Sequence, residues 1–505
     1  MDNHQKNKEK APLYDALIQY KNSGKHTYHV PGHKNGQVYS NLTPPTMLQK
    51  VMSIDATEIT GLDDLHHPET VIEEAQQLAA DCFGAEESFF LVAGSTSGNI
   101  ALLLTVCTEP GDLILVQRNV HKSVIHGLML AGAHAVFLAP EIDSVSGLAT
   151  APSLTTIKAA LQAYPNAKGV FLTMPNYYGM GFELSDIARA CHDVGVPLLV
   201  DEAHGAHYGQ HPALPNSALA AGTDGVVQST HKMLSAMTMG AMVHVQGKLL
   251  DRELMKQRLS MIQSSSPSYP LMASLDLARL HLHRHGADAF TAGLAAVNKA
   301  KSGIQNNIPR FGLLGPSGAD AGYTTQDPFK LVIYDKEMVL SGYELQRRLE
   351  DRGCVPEMSD DTFVVLLFSL GSSEEDAMHL LDTLLHISLE EEPRECEQLL
   401  KPDQTTLSRV STWNILQSAV FSCPVSFHLR KIAKEQKEQI SIGEASGRIA
   451  AEMVIPYPPG IPLLYPGEMI DENMKNHLIL LRESGAKIQG NTDSSLDTIL
   501  VMIEK

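Results

Sequence analysis

Between residues 61 and 300, short apolar runs alternate with helix-patterned segments. SFFLVAG, LILVQ, AVFLAP, GVFLTMP, VPLLVDEA and GVVQST are each of strand length, and each leads into turn residues or a helical pattern. A strand wetted on one side alternates apolar with polar residues. These runs are continuous, so both faces are buried. The chain therefore reads as α/β with a parallel sheet. In such sheets ligands bind beyond the carboxyl ends of the strands, and the polar motifs of this chain fall at those ends.

The rest of the chain divides around that rhythm. Residues 1–60 read as an N-terminal arm with a short helix, PLYDALIQYKN, and a loop, HVPGHKNGQ. Residues 61–300 form the large domain. The Gly/Pro-rich PRFGLLGPSGADAGY opens a small α/β domain, residues 301–390, with FKLVIYD and TFVVLLFSLG as strands. The acidic LEEEPRECEQ reads as a solvated linker or helix face, and residues 391–505 as a C-terminal domain.

A formal charge of −19 argues against a nucleic-acid partner, which needs a basic surface for phosphates. The six cysteines form no CxxC pair and suggest neither a zinc site nor a disulfide framework. The polar MDNHQKNKEK start lacks the apolar centre of a signal peptide. No apolar run approaches the ~18 residues of a membrane span. A cytoplasmic protein with reduced thiols is the expectation.

Four strand ends carry the chemistry. FFLVAGSTSGNIALLL runs from a strand through Gly94, Ser95, Thr96, Ser97 and Gly98 into a helix. Free N–H groups and small hydroxyls at a helix start suit an anion, although a plain helix cap reads the same way. LILVQRNVHKS ends in Arg118, Asn119, His121 and Lys122, where a histidine could stack on a flat ring or simply face solvent. VPLLVDEAHGAHYG places Asp201 and Glu202 directly after an apolar run. A carboxylate there is costly to desolvate without a positive partner. Asp201, Glu202, His204 and His207 could supply metal ligands, as could the Asp63, Asp64, His66, His67 cluster, but no matching ligand motif follows, and no metal is expected. VVQSTHKML brings an apolar strand into Ser229, Thr230, His231 and Lys232. A lysine in a dry pocket becomes a nucleophile toward an aldehyde. Together the four pieces answer one set of demands: a helix start for a phosphate, a stacker for a pyridine, a carboxylate for its nitrogen and an amine for an aldehyde. Pyridoxal 5'-phosphate makes those demands.

Read as whole strings, the chain resembles the bacterial ornithine/lysine/arginine decarboxylases of the aspartate-aminotransferase fold. The matching stretches are HVPGHKNG, LDDLHHPETVIEEAQQLAADCFGA, GSTSGN, RNVHKS, LVDEAHGAH, STHK, SSSPSYPLMASLD and GRIAAEMVIPYPPGIPLLYPGE, in this order from about residue 28 to 470. The resemblance implies a mostly parallel seven-stranded sheet in the large domain, followed by smaller C-terminal α/β domains. It implies Lys232 as the Schiff-base lysine, Asp201 as partner of the pyridine nitrogen and His121 as ring stacker. Ser95 and Thr96 would hold the phosphate, assisted by Ser229 and His231, and His204 would lie beside the ring. SSSPSYP resembles a loop reaching a neighbouring subunit's phosphate, through Ser265 or Ser266, which implies a homodimer with shared active sites.

Two departures stand out. Large family members begin with an extra N-terminal domain used for higher assembly. This chain starts almost at the cofactor-binding part, so the short, dimeric form is expected rather than a decamer. LTMPNYYG has Met174 and Asn176 where the family string reads Asn or Ser, Pro, Thr; Met174 cannot hydrogen-bond as Asn would.

The expected reaction is decarboxylation of a basic amino acid, arginine or lysine ahead of ornithine, to an amine for polyamine metabolism. Glu452 and Glu468, flanking IPYPPGIPLLYPGE, are candidate partners for the distal amine or guanidinium, or else surface glutamates. The alternatives are an aminotransferase, with Arg448 or Arg482 clamping the substrate carboxylate, and a non-catalytic pyridoxal-phosphate-binding regulator.

Overall fold

The computed structural model describes residues 8–41, 46–316, 322–390, 420–430, 432–456, 461–483 and 487–503. Its chain forms two units, Met1–Thr108 with Leu184–Ala289, and Glu109–Glu183 with Phe290–Lys505. The main helices are α1 (Pro12–Asn22), α2 (Val71–Phe83), α3 (Gly94–Val106), α4 (Lys122–Ala131) and α5 (Tyr269–His285). The large-domain strands are β1 (Glu87–Leu91), β2 (Leu113–Gln117), β3 (His134–Leu138), β4 (Val170–Thr173), β5 (Leu198–Asp201), β6 (Gly225–Gln228) and β7 (Ala241–Val245).

In the first unit the order is β1-β7-β6-β5, with β5 and β6 parallel and β7 antiparallel to both its neighbours. In the second unit β2 lies between β4 and β3, parallel to each. The α/β architecture expected from the continuous runs is present, and within the first unit β7 runs against the other strands. All six quoted runs are strands. The seventh, AMVHV, escapes notice because His244 interrupts it. That imidazole is fully buried and paired from both sides: Ser88 Oγ of β1 lies 2.7 Å from Nδ1, and Gln228 Oε1 of β6 lies 3.1 Å from Nε2. Burial pushes its pKa down to about 3, so it is a neutral strand residue.

PLYDALIQYKN is α1, opened by a proline at its first position, where no N–H is lost. Its start is held by α5: the Leu13 N–H donates to Asp276 at 3.0 Å, and Arg279 ties Asp276 to the Lys8 and Lys10 carbonyls. LDDLHH caps α2. The Asp63 carboxylate accepts the N–H groups of Thr70 at 2.8 Å and Ile72 at 3.0 Å, satisfying donors that a helix start leaves open.

In the second unit β8 (Phe311–Leu313), β9 (Lys330–Asp335), β10 (Met358–Ser359) and β11 (Phe363–Leu367) form an antiparallel sheet in the order β10-β11-β9-β8. FKLVIYD and TFVVLLFSLG supply β9 and β11. Further on, β12 (Val425–Ser426) adds an antiparallel edge to β3, an eighth strand drawn from beyond residue 420. β13 (Lys437–Ser441) pairs with β14 (Thr498–Met502) over a core that includes Val454, Leu464, Leu478, Ile499 and Val501. Most of the acidic LEEEPRECEQ stretch, with Cys396, lies outside the described residues, as do residues 457–460 of the proline-rich string. No described helix is long and apolar enough to cross a membrane.

Candidate active site

In the first unit, β5 is buried along its whole length and ends at Asp201, whose side chain is equally enclosed. Asn99 Nδ2 donates to its Oδ2 at 2.8 Å, and the Ala203 N–H to its Oδ1 at 3.1 Å. Burial pushes the Asp201 carboxyl above its ordinary range, against the pull of the Lys232 ammonium and of these donors. A nearby cation, together with such donors, favours the ionised form of a carboxyl so placed.

Asn99 was not singled out from the sequence. The signal was a polar residue of low helix propensity inside the apolar GNIALLL stretch. It reaches Asp201 because α3 lies close on the sheet: a Cβ added at Gly98 would come within 2.8 Å of Leu91 and Val227. Glycine is needed there for packing, independent of any ligand.

Lys232 lies on the short helix Thr230–Met233 that follows β6. Its Nζ is 3.0 Å from Nε2 of His204, which is itself buried. The structure thus brings Lys232, His204, Asp201 and Asn99 into one cluster. Ser229 and Thr230, at the end of β6, are fully enclosed, and neither hydroxyl oxygen has a hydrogen-bond partner. Orphaned buried hydroxyls cost free energy unless a ligand completes them.

Ser95 and Thr96 occupy the first turn of α3, Thr96 exposed and Ser95 half-buried. The two segments that carry the phosphate-binding candidates are tied to one dipeptide: the Gly94 N–H donates to the Met239 carbonyl and the His231 N–H to the Gly240 carbonyl, both at 3.0 Å. His231 Nδ1 also lies 2.9 Å from the Gly240 carbonyl, and therefore donates to it. Burial lowers the His231 pKa, and in the neutral ring this leaves Nε2 as an acceptor.

Glu202 takes a different place. Its carboxylate accepts the Ala218 N–H and Gln228 Nε2, each at 2.7 Å, and burial pushes its pKa up to about 8. His207 is buried against Tyr208. Among the described residues no group of three or more His, Cys, Asp or Glu side chains is arranged to hold a metal. Ser264, Ser265 and Ser266 are exposed; His66 Nε2 lies 2.8 Å from the Ser264 carbonyl.

In the second unit, His121 caps α4. Its Nδ1 accepts from the Ser123 N–H at 3.2 Å and lies 2.9 Å from Ser123 Oγ, which leaves the ring proton on Nε2. Met174 is buried, and Asn176 holds the following turn by accepting from the N–H groups of Tyr178 and Met180 at 3.0 Å. Glu452 has both oxygens engaged, one by Thr492 N and Oγ1 at 2.7 Å, the other by the Leu500 N–H at 2.8 Å. Glu468 binds Arg118 through both oxygens at 3.0 Å. Arg448 is tied to Glu438 and the Met502 carbonyl, and Arg482 lies 3.8 Å from Asp497.

Comparison with known proteins follows the same lines. Residues 11–376 match the family described as Orn/Lys/Arg decarboxylase, major domain, and residues 423–493 the one described as Orn/Lys/Arg decarboxylase, C-terminal domain. The chain is 41% identical to the uncharacterized protein YaaO of Bacillus subtilis (strain 168), over 98% of this chain and 99% of that one. It is 34% identical to an arginine decarboxylase of the same organism, over 98% of each. The solved lysine decarboxylase LdcF of Francisella novicida shares the fold, with a TM-score of 0.82 at 20% identity over 99% of this chain and 82% of the other. The chain belongs to the Orn/Lys/Arg decarboxylase family, and with it to the lyases.

Proposed function

We propose that this protein is a pyridoxal-phosphate-dependent decarboxylase of a basic amino acid, with arginine the first substrate to test. The observation that carries the proposal is the cluster at the ends of β5 and β6: an enclosed carboxylate that needs a cation, a lysine beside it and two orphaned hydroxyls. Those residues fit the cofactor. Ser229, with Ser95 and Thr96 of the α3 start, would bind the phosphate, and Asp201 would hold the proton of the ring nitrogen. Lys232 would hold the aldehyde, and His121 is assigned to the ring face. His231 joins the phosphate ligands only when its ring is protonated.

When bound, pyridoxal phosphate supplies an electron sink for the charge left at Cα as carbon dioxide departs. The protein's share is electrostatic and positional. Asp201, kept in place by Asn99 and Ala203, would hold the proton of the ring nitrogen of a bound cofactor. His204 Nε2 accepts from Lys232 Nζ and so aims the amine, and either group can return a proton to Cα. Glu452 is not carried into the proposal, because its carboxylate is filled by its own domain; Glu468 would have to leave Arg118 to meet a substrate cation.

Arginine stands ahead of lysine because a relative named for arginine reaches 34% identity over nearly the whole chain. A homodimer in which Ser265 or Ser266 reaches the neighbouring subunit's phosphate, a cytoplasmic location and a role in supplying polyamine precursors complete the reading. The test is direct. Arginine, lysine and ornithine are each incubated with the cofactor-loaded protein, and carbon dioxide, amine and keto acid are measured. Carbon dioxide with one stoichiometric amine is expected. A keto acid would turn the reading to an aminotransferase, and a bound cofactor with no turnover to a regulator.

A further inference from the structure

The turn that presents His121 is four residues long, 118 to 121, between the end of β2 and the start of α4. The contact of His121 with Ser123 is local, so it follows the turn wherever the turn goes. On one side Gln117 and Asn119 bind the Thr150 carbonyl, each at 3.1 Å. On the other, Arg118 is buried, 5% exposed, and spends its guanidinium on residues 462–468. It donates to the Pro462 carbonyl at 3.1 Å, the Leu463 carbonyl at 2.8 Å and both Glu468 oxygens. The guanidinium also lies over the Tyr465 ring, 4.2 Å from its centroid, and the Tyr465 hydroxyl donates back to the Arg118 carbonyl at 3.2 Å. Just past His121, Lys122 Nζ donates to Gln489 Oε1 at 2.8 Å.

Residues 462–468 and Gln489 all fall in the region matched by the C-terminal domain of the family. Its contacts therefore bracket His121, three residues before it and one after. A planar fork with several fixed acceptors sets position and orientation together, which a single ammonium contact does not.

We infer that Arg118 is a positioning residue for His121, and that the C-terminal domain acts on the cofactor face through the Arg118–Glu468–Tyr465 clamp and the Lys122–Gln489 contact. The inference rests on the proposed ring-facing role of His121. It assigns the C-terminal domain a task in the chemistry without giving it a group that touches substrate.

Glu468→Gln keeps the shape of the clamp and removes its charge; Gln489→Ala is a milder second probe. Each is made in the native background and in His121→Ala. The readouts are the dissociation constant for pyridoxal phosphate and the visible circular dichroism of the bound cofactor. In the native background Glu468→Gln should weaken binding by about tenfold and reduce the dichroic band, and Gln489→Ala should do so by about threefold. With His121 already removed, both losses should shrink to less than about twofold. Equal fold losses in the two backgrounds, or no change in either, overturn the inference while leaving the decarboxylase reading intact. Absence of any cofactor band in the native protein removes that reading, and this inference with it.

Discussion

Asp201 and Glu202 are neighbours at the end of β5, and both are shut off from solvent. Glu202 belongs to a completed chain. Its oxygens are filled by Ala218 and Gln228, Gln228 pairs with His244, and His244 with Ser88, so that one face of β5, β6, β7 and β1 is sewn together. Asp201 belongs to an unfinished one. Lys232 and His204 stand beside it, and the adjacent strand ends in two buried hydroxyls that bind nothing. In sequence the two carboxylates look alike. Their partners separate them: a satisfied buried network specifies the fold, whereas spare hydrogen-bonding capacity in an enclosed space marks a place for a ligand.

The comparison can be broken at several points. Lys232→Ala should have the largest effect, lowering decarboxylation by at least about a thousandfold while the melting temperature of the cofactor-free protein hardly moves. An unchanged rate removes the lysine from the chemistry. Asp201→Ala should come next, with turnover down about a hundredfold or more. Glu202→Gln, one residue away, should keep turnover within about threefold. Similar losses for the two would erase the distinction drawn here.

Glu202 should show itself in stability instead. Its carboxyl is held near 8 in the folded protein against an ordinary 4.5. Between those values the folded state keeps a proton that the unfolded chain has released, so stability falls as pH rises through that window. The contribution is on the order of a few kcal/mol. Denaturant melts of the Glu202→Gln protein from pH 5 to about 8 should show a shallower decline; a slope identical to the native one contradicts the assignment. The smallest effect is expected at Ser229. Because its hydroxyl has no partner, Ser229→Ala should leave the cofactor-free protein as stable as before, or slightly more so. Affinity for pyridoxal phosphate should fall about tenfold, as expected for one lost hydrogen bond to a charged group. A loss of stability without a change in affinity would make that hydroxyl structural.

Much of this was legible in the sequence because the large-domain strands are continuous apolar runs with abrupt polar ends. β7 was not, since His244 breaks its run and only cross-strand pairing makes a buried imidazole acceptable there. Asn99 was hidden as well: its role comes from α3 lying against the sheet at Gly98, a contact that no local pattern encodes. The glutamates near the proline-rich string could be read as substrate partners because a carboxylate's sequence neighbours do not reveal its donors. Glu452 is filled by Thr492 and Leu500, 40 and 48 residues away along the chain, and Glu468, besides the nearby Tyr465 N–H, by Arg118, 350 residues away.

Borohydride treatment of the cofactor-loaded protein, followed by peptide mapping, tests the central claim most directly, because reduction fixes pyridoxal phosphate to whichever side chain holds it. The tag should be found on the peptide containing Lys232 and nowhere else. A tag on another lysine, or none on protein that carries the cofactor, would contradict the account.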